Sequence, residues 1–175
     1  TDTIKELNNT FFNNLTEEQI EALSQEQLIE IVKNNKLHLL KEENIRTFIA
    51  NNFNKEFIGE LTTTELTNQI NSLGNKFFDY ITAEQLQNIK PEIFKEINPE
   101  YLKSLTAEQL NALYRSNPEI MNSLPKNIIN IISDNAFNNL SDNILQILTA
   151  EHLQDINETQ VDYIVKNGKL SLLSN

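Results

Sequence analysis

Chemistry in this sequence would have to come from very few side chains. The 175 residues include two histidines, His38 and His152, and no cysteine. Thiol catalysis, disulfides and cysteine-ligated zinc are therefore excluded. His152 stands three residues after Thr149, a position where other stretches carry Gln. That context predicts a surface role near a helix start rather than a general base. His38 aligns with Ser171 in a second copy of the same segment, so an imidazole is dispensable there. Gly59, Gly74 and Gly168 are too scattered for a phosphate loop or a dinucleotide turn. No nucleophile-elbow, zinc-protease or calcium-loop pattern occurs. The 25 acidic residues could furnish a general acid and base, but their regular placement in the first turns of the repeated helix starts explains most of them structurally. The sequence predicts no catalytic residue, no cofactor and no metal site.

Charge narrows the partners. The formal net charge of −11 disfavours nucleic acid and anionic membrane, both of which an acidic surface repels. No apolar run approaches the roughly 18 residues of a membrane span, and no basic-plus-apolar signal opens the chain. The chain begins at Thr1 without Met, which reads as a fragment or a mature piece. A hydrophobic content of 39% is too high for a wholly disordered chain.

The organising signal is a period of eight. In ITAEQLQNIKPEIFKEINPEYLKSLTAEQLNAL, residues 81–113, apolar residues alternate between spacings of five and three: Ile81, Leu86, Ile89, Phe94, Ile97, Leu102, Leu105, Leu110, Leu113. A step of five turns roughly 140° away from the starting face of an α-helix, so one straight helix cannot bury both sets. Thr82, Asn98 and Thr106 follow the first apolar residue of their units, as do Thr16, Ser24, Thr62, Ser133, Ser141, Thr149 and Asn157 elsewhere. These types cap helix N-termini. Gln19, Gln27, Gln85, Gln109 and Gln160 stand three residues later and complete capping boxes, with the flanking apolar residues as hydrophobic staples. Pro91, Pro99 and Pro118 fall at the first helical position, where no amide is needed.

Each unit is thus a helix start, and a helix of six or seven residues survives only by packing on its neighbours. The stretch 61–73 is four residues longer and predicts one extra helical turn. A three-residue slip after Leu113 carries Tyr114, Arg115 and Ser116. Residues 15–40 match 148–173 at a constant offset of 133, with Asn35 and Gly168 in corresponding places. Both types tolerate the left-handed conformation that closes helices. The expected fold is all-α: short helix-loop-helix repeats stacked as an α-solenoid or crescent, with a globular helical bundle as the alternative. Residues 1–175 read as a single helical-repeat domain cut from a longer array, with sub-blocks near 1–72, 73–115 and 116–175.

With no chemistry predicted, the expected function is protein interaction through positions the repeat leaves variable. The fifth position of the unit is apolar at Phe11, Phe57, Phe77, Ile93, Tyr101, Ile120, Ile128 and Ile144, and the simple account is that these face the core. Tyr101 together with Tyr114 and Arg115 at the slip forms the candidate protein-binding patch, because aromatic and Arg side chains anchor interfaces.

The segments LTAEQL, ITAEQL and INPEYL, set in an Asn- and Ile-rich background, resemble the short helix-loop-helix repeats of rickettsial surface cell antigens, whose autotransported passengers engage the host cytoskeleton. The resemblance implies a bacterial surface or secreted module that helps recruit or assemble host actin. The proline-rich and basic monomer-binding segments of actin assembly factors are absent from this sequence, and no functional residue carries over. Two other readings remain: an architectural spacer that self-associates, and the non-catalytic part of a secreted effector enzyme.

Overall fold

The computed structural model describes residues 3–173, so Thr1, Asp2, Ser174 and Asn175 of the expected 1–175 domain lie outside the described residues. Among those described, every regular element is helical. The first stretch contains α1 (Thr3–Glu6), α2 (Asn9–Asn14), α3 (Glu17–Glu21), α4 (Gln25–Lys33), the 3-10 helix η1 (Leu37–Leu39), α5 (Glu42–Asn52) and α6 (Lys55–Gly59). The second contains α7 (Thr63–Leu73), α8 (Asn75–Tyr80), α9 (Ala83–Leu86), η2 (Pro91–Lys95), η3 (Pro99–Ser104), α10 (Ala107–Ser116) and η4 (Pro118–Asn122). The third contains α11 (Ile128–Ile131), α12 (Asp134–Asn138), α13 (Asp142–Ile147), α14 (Glu158–Lys166) and η5 (Leu170–Leu173). No helix among them is long and apolar enough to cross a membrane.

Capping chemistry sets the boundaries. Thr16, Ser24, Thr62, Thr82, Thr106 and Asn157 each form a complete capping box. At Thr82 the hydroxyl accepts the Gln85 amide at 3.1 Å, and Gln85 Oε1 accepts the Thr82 amide at 3.0 Å. A cap that satisfies two otherwise orphaned amides and is worth about 1 kcal/mol makes each restart of the helix local and sharp. The longer unit at 61–73 does hold an extra turn, as the 11-residue α7. The slip after Leu113 is absorbed by α10, which places Tyr114 and Arg115 in its last turn.

The proline-led units differ from expectation. Pro91, Pro99 and Pro118 do stand at the start of their helices, but η2, η3 and η4 are 3-10 helices. Asn98 and Asn117 there cap the amide two residues on rather than three.

A longer repeat governs how the helices pack. α2, α8 and α13 start 66 and 67 residues apart. They lead into Leu15-Thr16, Ile81-Thr82 and Leu148-Thr149. Matching local geometry supports the correspondence: the ring pair Phe11–Phe12 is edge-to-face at 5.5 Å and Phe77–Phe78 at 5.2 Å. The 133-residue correspondence also closes its helices identically. Lys36 N–H donates to Ile31 O and Asn35 N–H to Val32 O, while Lys169 donates to Ile164 O and Gly168 to Val165 O. Asn35 (φ 54°) and Gly168 (φ 65°) take the left-handed conformation this closure requires.

Principal contacts pass from each element to one a little further along: α1 on α4, α4 and η1 on α7, α5 on α8, α7 on η2, α8 on η3, α10 on α12, α12 on α14. The core they enclose is continuous from Ile4 to Ile164. Its aromatic part is a file of rings, Phe48, Phe57, Phe53, Phe77, Phe78 and Phe94, with successive centroids 5.2–6.5 Å apart. Burying a Phe is worth roughly 1.5–3 kcal/mol, which is what stabilises four- to six-residue helices that have no stability alone. Of the fifth-position residues, Phe57, Phe77, Ile93, Ile120, Ile128 and Ile144 are buried; Phe11 is exposed and Tyr101 half-buried.

Candidate functional site

α10 carries two of the three predicted interface residues to one place. Tyr114 is half-buried against the core and Arg115 is exposed. Both line an open cleft of about 670 Å³ between α10 and the segment leading into α13, with Glu108, Asn111, Pro118 and Asn143 among its other walls. The two sides are held together by Asn111, whose Nδ2 donates to Asn139 O at 3.2 Å while its Oδ1 accepts the Ser141 amide at 2.9 Å. The same device recurs at Asn71, which donates to Glu96 O and accepts from the Asn98 amide, both at 3.0 Å. In each case a helical Asn substitutes for a strand-like partner beside the N-cap of a later helix.

The cleft offers a phenol ring, a guanidinium, a carboxylate and amides. Ser141 Oγ is already committed, accepting the Ile144 amide at 3.4 Å. Among the described residues no cluster of His, Asp or Glu is arranged to hold a metal ion.

Tyr101 sits elsewhere. Its ring lies over Gly74 at the joint of α7 and α8, where a Cβ added to Gly74 would meet Tyr101 Cε1 at 3.3 Å. It does not line the Tyr114–Arg115 cleft.

The histidine nearest a helix start requires a correction. His152 Nδ1 accepts the Thr149 amide at 3.0 Å as a capping glutamine would, but residues 150–155 form turns rather than the expected helix, and the ring is buried rather than on the surface, at 5% exposure. Its Nε2 is buried without a hydrogen-bond partner. Burial, then the nearby Lys126 charge, lowers the His152 pKa from its ordinary value against a smaller opposing effect of Glu151. Burial and then Lys36 lower that of His38 likewise. The sequence missed this because the fixed octad position reports the capping role and not the depth of the layer above it.

Sequence reasoning also missed the second job of the capping glutamines. Gln85 Nε2 donates to Ile49 O at 2.9 Å and Ala50 O at 3.2 Å. Gln109 Nε2 donates to Phe78 O and Ile81 O, both at 2.9 Å, and Gln160 Nε2 to Ile129 O at 2.9 Å. The available signal was the choice of amide over acid. Either Glu or Gln closes a capping box, but only Gln can also donate.

No protein-family model matches the sequence, and neither a curated protein nor a solved structure matches it significantly.

Proposed function

We propose that this chain is a non-enzymatic helical-repeat module for protein interaction, its short helices stacked as an α-solenoid or crescent, within a bacterial surface or secreted protein. The observation that carries the reading is the Tyr114–Arg115 cleft. An aromatic ring and a guanidinium, residue types that dominate binding energy at interfaces, flank an opening whose walls are pinned by Asn111. A host cytoskeletal protein, actin, is the proposed partner on the basis of the repeat resemblance. Nucleic acid is disfavoured by the acidic surface.

The test is co-sedimentation with actin filaments and pyrene-actin assembly, using the wild-type chain and a Tyr114→Ala/Arg115→Ala double variant. Wild type should bind or alter assembly, and the variant should lose the effect while keeping its helical circular dichroism and urea midpoint. Absence of any effect of the wild type removes the cytoskeletal reading. A variant that loses its fold assigns the pair to structure.

The architectural reading, in which such modules space and join their neighbours, draws support from the internally repeated ties of Gln85, Gln109, Asn71 and Asn111, which join each layer to the next.

A further inference from the structure

Ile20, Leu28 and Phe48 floor a cavity of about 210 Å³ between α3, α4 and α5, and Glu17, Glu21 and Asn44 stand in its walls. The three floor residues are buried and both carboxylates are exposed. Neither carboxylate has an ion-pair partner among the described residues. Asn44, 5% exposed, ties α5 to the end of α2 as Gln109 ties α10 to the end of α8: its Nδ2 donates to Leu15 O at 2.9 Å. Gln109 Oε1 is spent on the Thr106 amide, but Asn44 is one methylene shorter and no side chain caps α5. Asn44 Oδ1 is thus left in the cavity wall without a hydrogen-bond partner among the described residues.

The repeat does not demand these acids. In the three copies of this unit Glu18, Glu84 and Glu151 hold the same first-turn position, whereas Glu17 is matched by Ala83 and Ala150, and Glu21 by Gln87 and Gln154. Glu21 is the last residue of α3, where the helix dipole disfavours negative charge, and Glu17 four residues before it adds like-charge repulsion. The groove itself is general. With α5 aligned on α10 through Leu40 and Leu105, Gln87, Leu113 and Asn117 take the places of Glu21, Phe48 and Asn52, and they line an open groove between α9 and α10. That second groove stays open although α8 packs on α5 to one side of it and α10 on α12 to the other, so neighbouring layers leave this face free.

We propose that the α3–α5 cavity takes an arginine side chain of a protein partner. The alkyl stem packs on Ile20, Leu28 and Phe48, and the guanidinium reaches the Glu17 and Glu21 carboxylates, with Asn44 Oδ1 as a further acceptor. Carboxylates at i and i+4 stand on one helix face. A guanidinium presents five donors in a planar fork that two carboxylates can share, which a lysine ammonium cannot match. Such a side chain leaves its stem on an apolar floor and its charge at a polar rim. The net charge of −11 draws a basic partner in. The site is separate from the Tyr114–Arg115 cleft and its test needs no actin, so either reading can fail alone.

The experiment is a titration of the isotope-labelled chain with N-acetyl-arginine methylamide, followed by amide NMR shifts. Saturable shifts confined to α3, α5 and the Asn44 side-chain amide are expected, with a Kd on the order of 1 mM that rises with salt. The blocked citrulline, of the same shape without the charge, should bind about tenfold more weakly, and the blocked lysine about threefold more weakly. Glu17→Ala/Glu21→Gln, which installs the residues of the second copy, should keep the circular dichroism and urea midpoint while weakening arginine binding about tenfold. Tyr114→Ala/Arg115→Ala should leave that binding unchanged. Shifts scattered over the acidic surface, no saturable shift at about ten times the expected Kd, citrulline or lysine binding as tightly as arginine, or a Glu17→Ala/Glu21→Gln chain that binds like wild type overturns the proposal.

Discussion

Gln109 donates from Nε2 to the carbonyl oxygen of Phe78, 31 residues back along the chain, at 2.9 Å. Its Oε1 accepts the Thr106 amide, also at 2.9 Å, so one buried side chain starts α10 and fastens that start to the end of α8. An acid at this position would still close the capping box but would set a carboxylate oxygen against the Phe78 and Ile81 carbonyls.

Gln109→Glu is therefore expected to lower stability by about 2–3 kcal/mol, the cost of losing two buried donors and burying an unpaired charge. Gln27→Glu should stay within roughly 0.5 kcal/mol, because exposed Gln27 closes its own box and Glu65 performs the same task at Thr62. Urea denaturation of the two variants measures the difference, and equal losses would show that the cross-layer bond is dispensable.

Gly74 is fixed by two constraints, a backbone at φ 62°, ψ −137° and the Tyr101 ring above it. Gly74→Ala should cost about 2–3 kcal/mol from backbone strain and the displaced ring. Gly168→Asn should be nearly neutral: space around Gly168 is open, and Asn35 already holds the corresponding conformation. Thermal melts of both variants separate conformational need from mere glycine content.

The ring file makes Phe53 the joint between the first and second stretches, since it meets Phe48, Phe57 and Phe77. Phe53→Ala should destabilise by about 3–5 kcal/mol, and Phe11→Ala at the exposed ring by less than about 1 kcal/mol. A small loss at Phe53 would mean that the two stretches are held chiefly by their polar ties.

The local half of this architecture was legible in the residues. Thr82, Asn98 and Thr106 cap where spacing placed them, and Asn35 and Gly168 close helices in the left-handed conformation, because caps and closures are decided within five or six residues of chain. The non-local half was not. Nothing within the octad distinguishes Gln109, buried and bonded across layers, from Gln27, exposed and bonded only to its own cap. The depth of His152 and the separation of Tyr101 from Tyr114 depend on which elements lie opposite: at the 66- and 67-residue spacing Gln19 is exposed, Gln85 half-buried and His152 buried.

Acid should act first through the histidines. Because His152 Nδ1 accepts the Thr149 amide, its proton resides on the buried Nε2. A second proton would break that hydrogen bond and add charge near Lys126. The folded state thus holds both His152 and His38 below the ordinary value of about 6.5, while the unfolded chain binds protons normally. Between the two values the unfolded state carries more protons, so stability rises with pH there: it is fully present above about 6.5 and is lost as pH falls below it. Glu18, through its own backbone and Thr16, and Glu42, through Tyr80 and Lys76, are lowered from the ordinary carboxylate value, so their contribution is lost only in the acid range below the histidine window. His152→Gln, which installs the residue found at Gln85, should flatten the fall in urea midpoint between about pH 7 and 5 without changing the acid limb. An unaltered slope would assign the near-neutral transition to His38 alone.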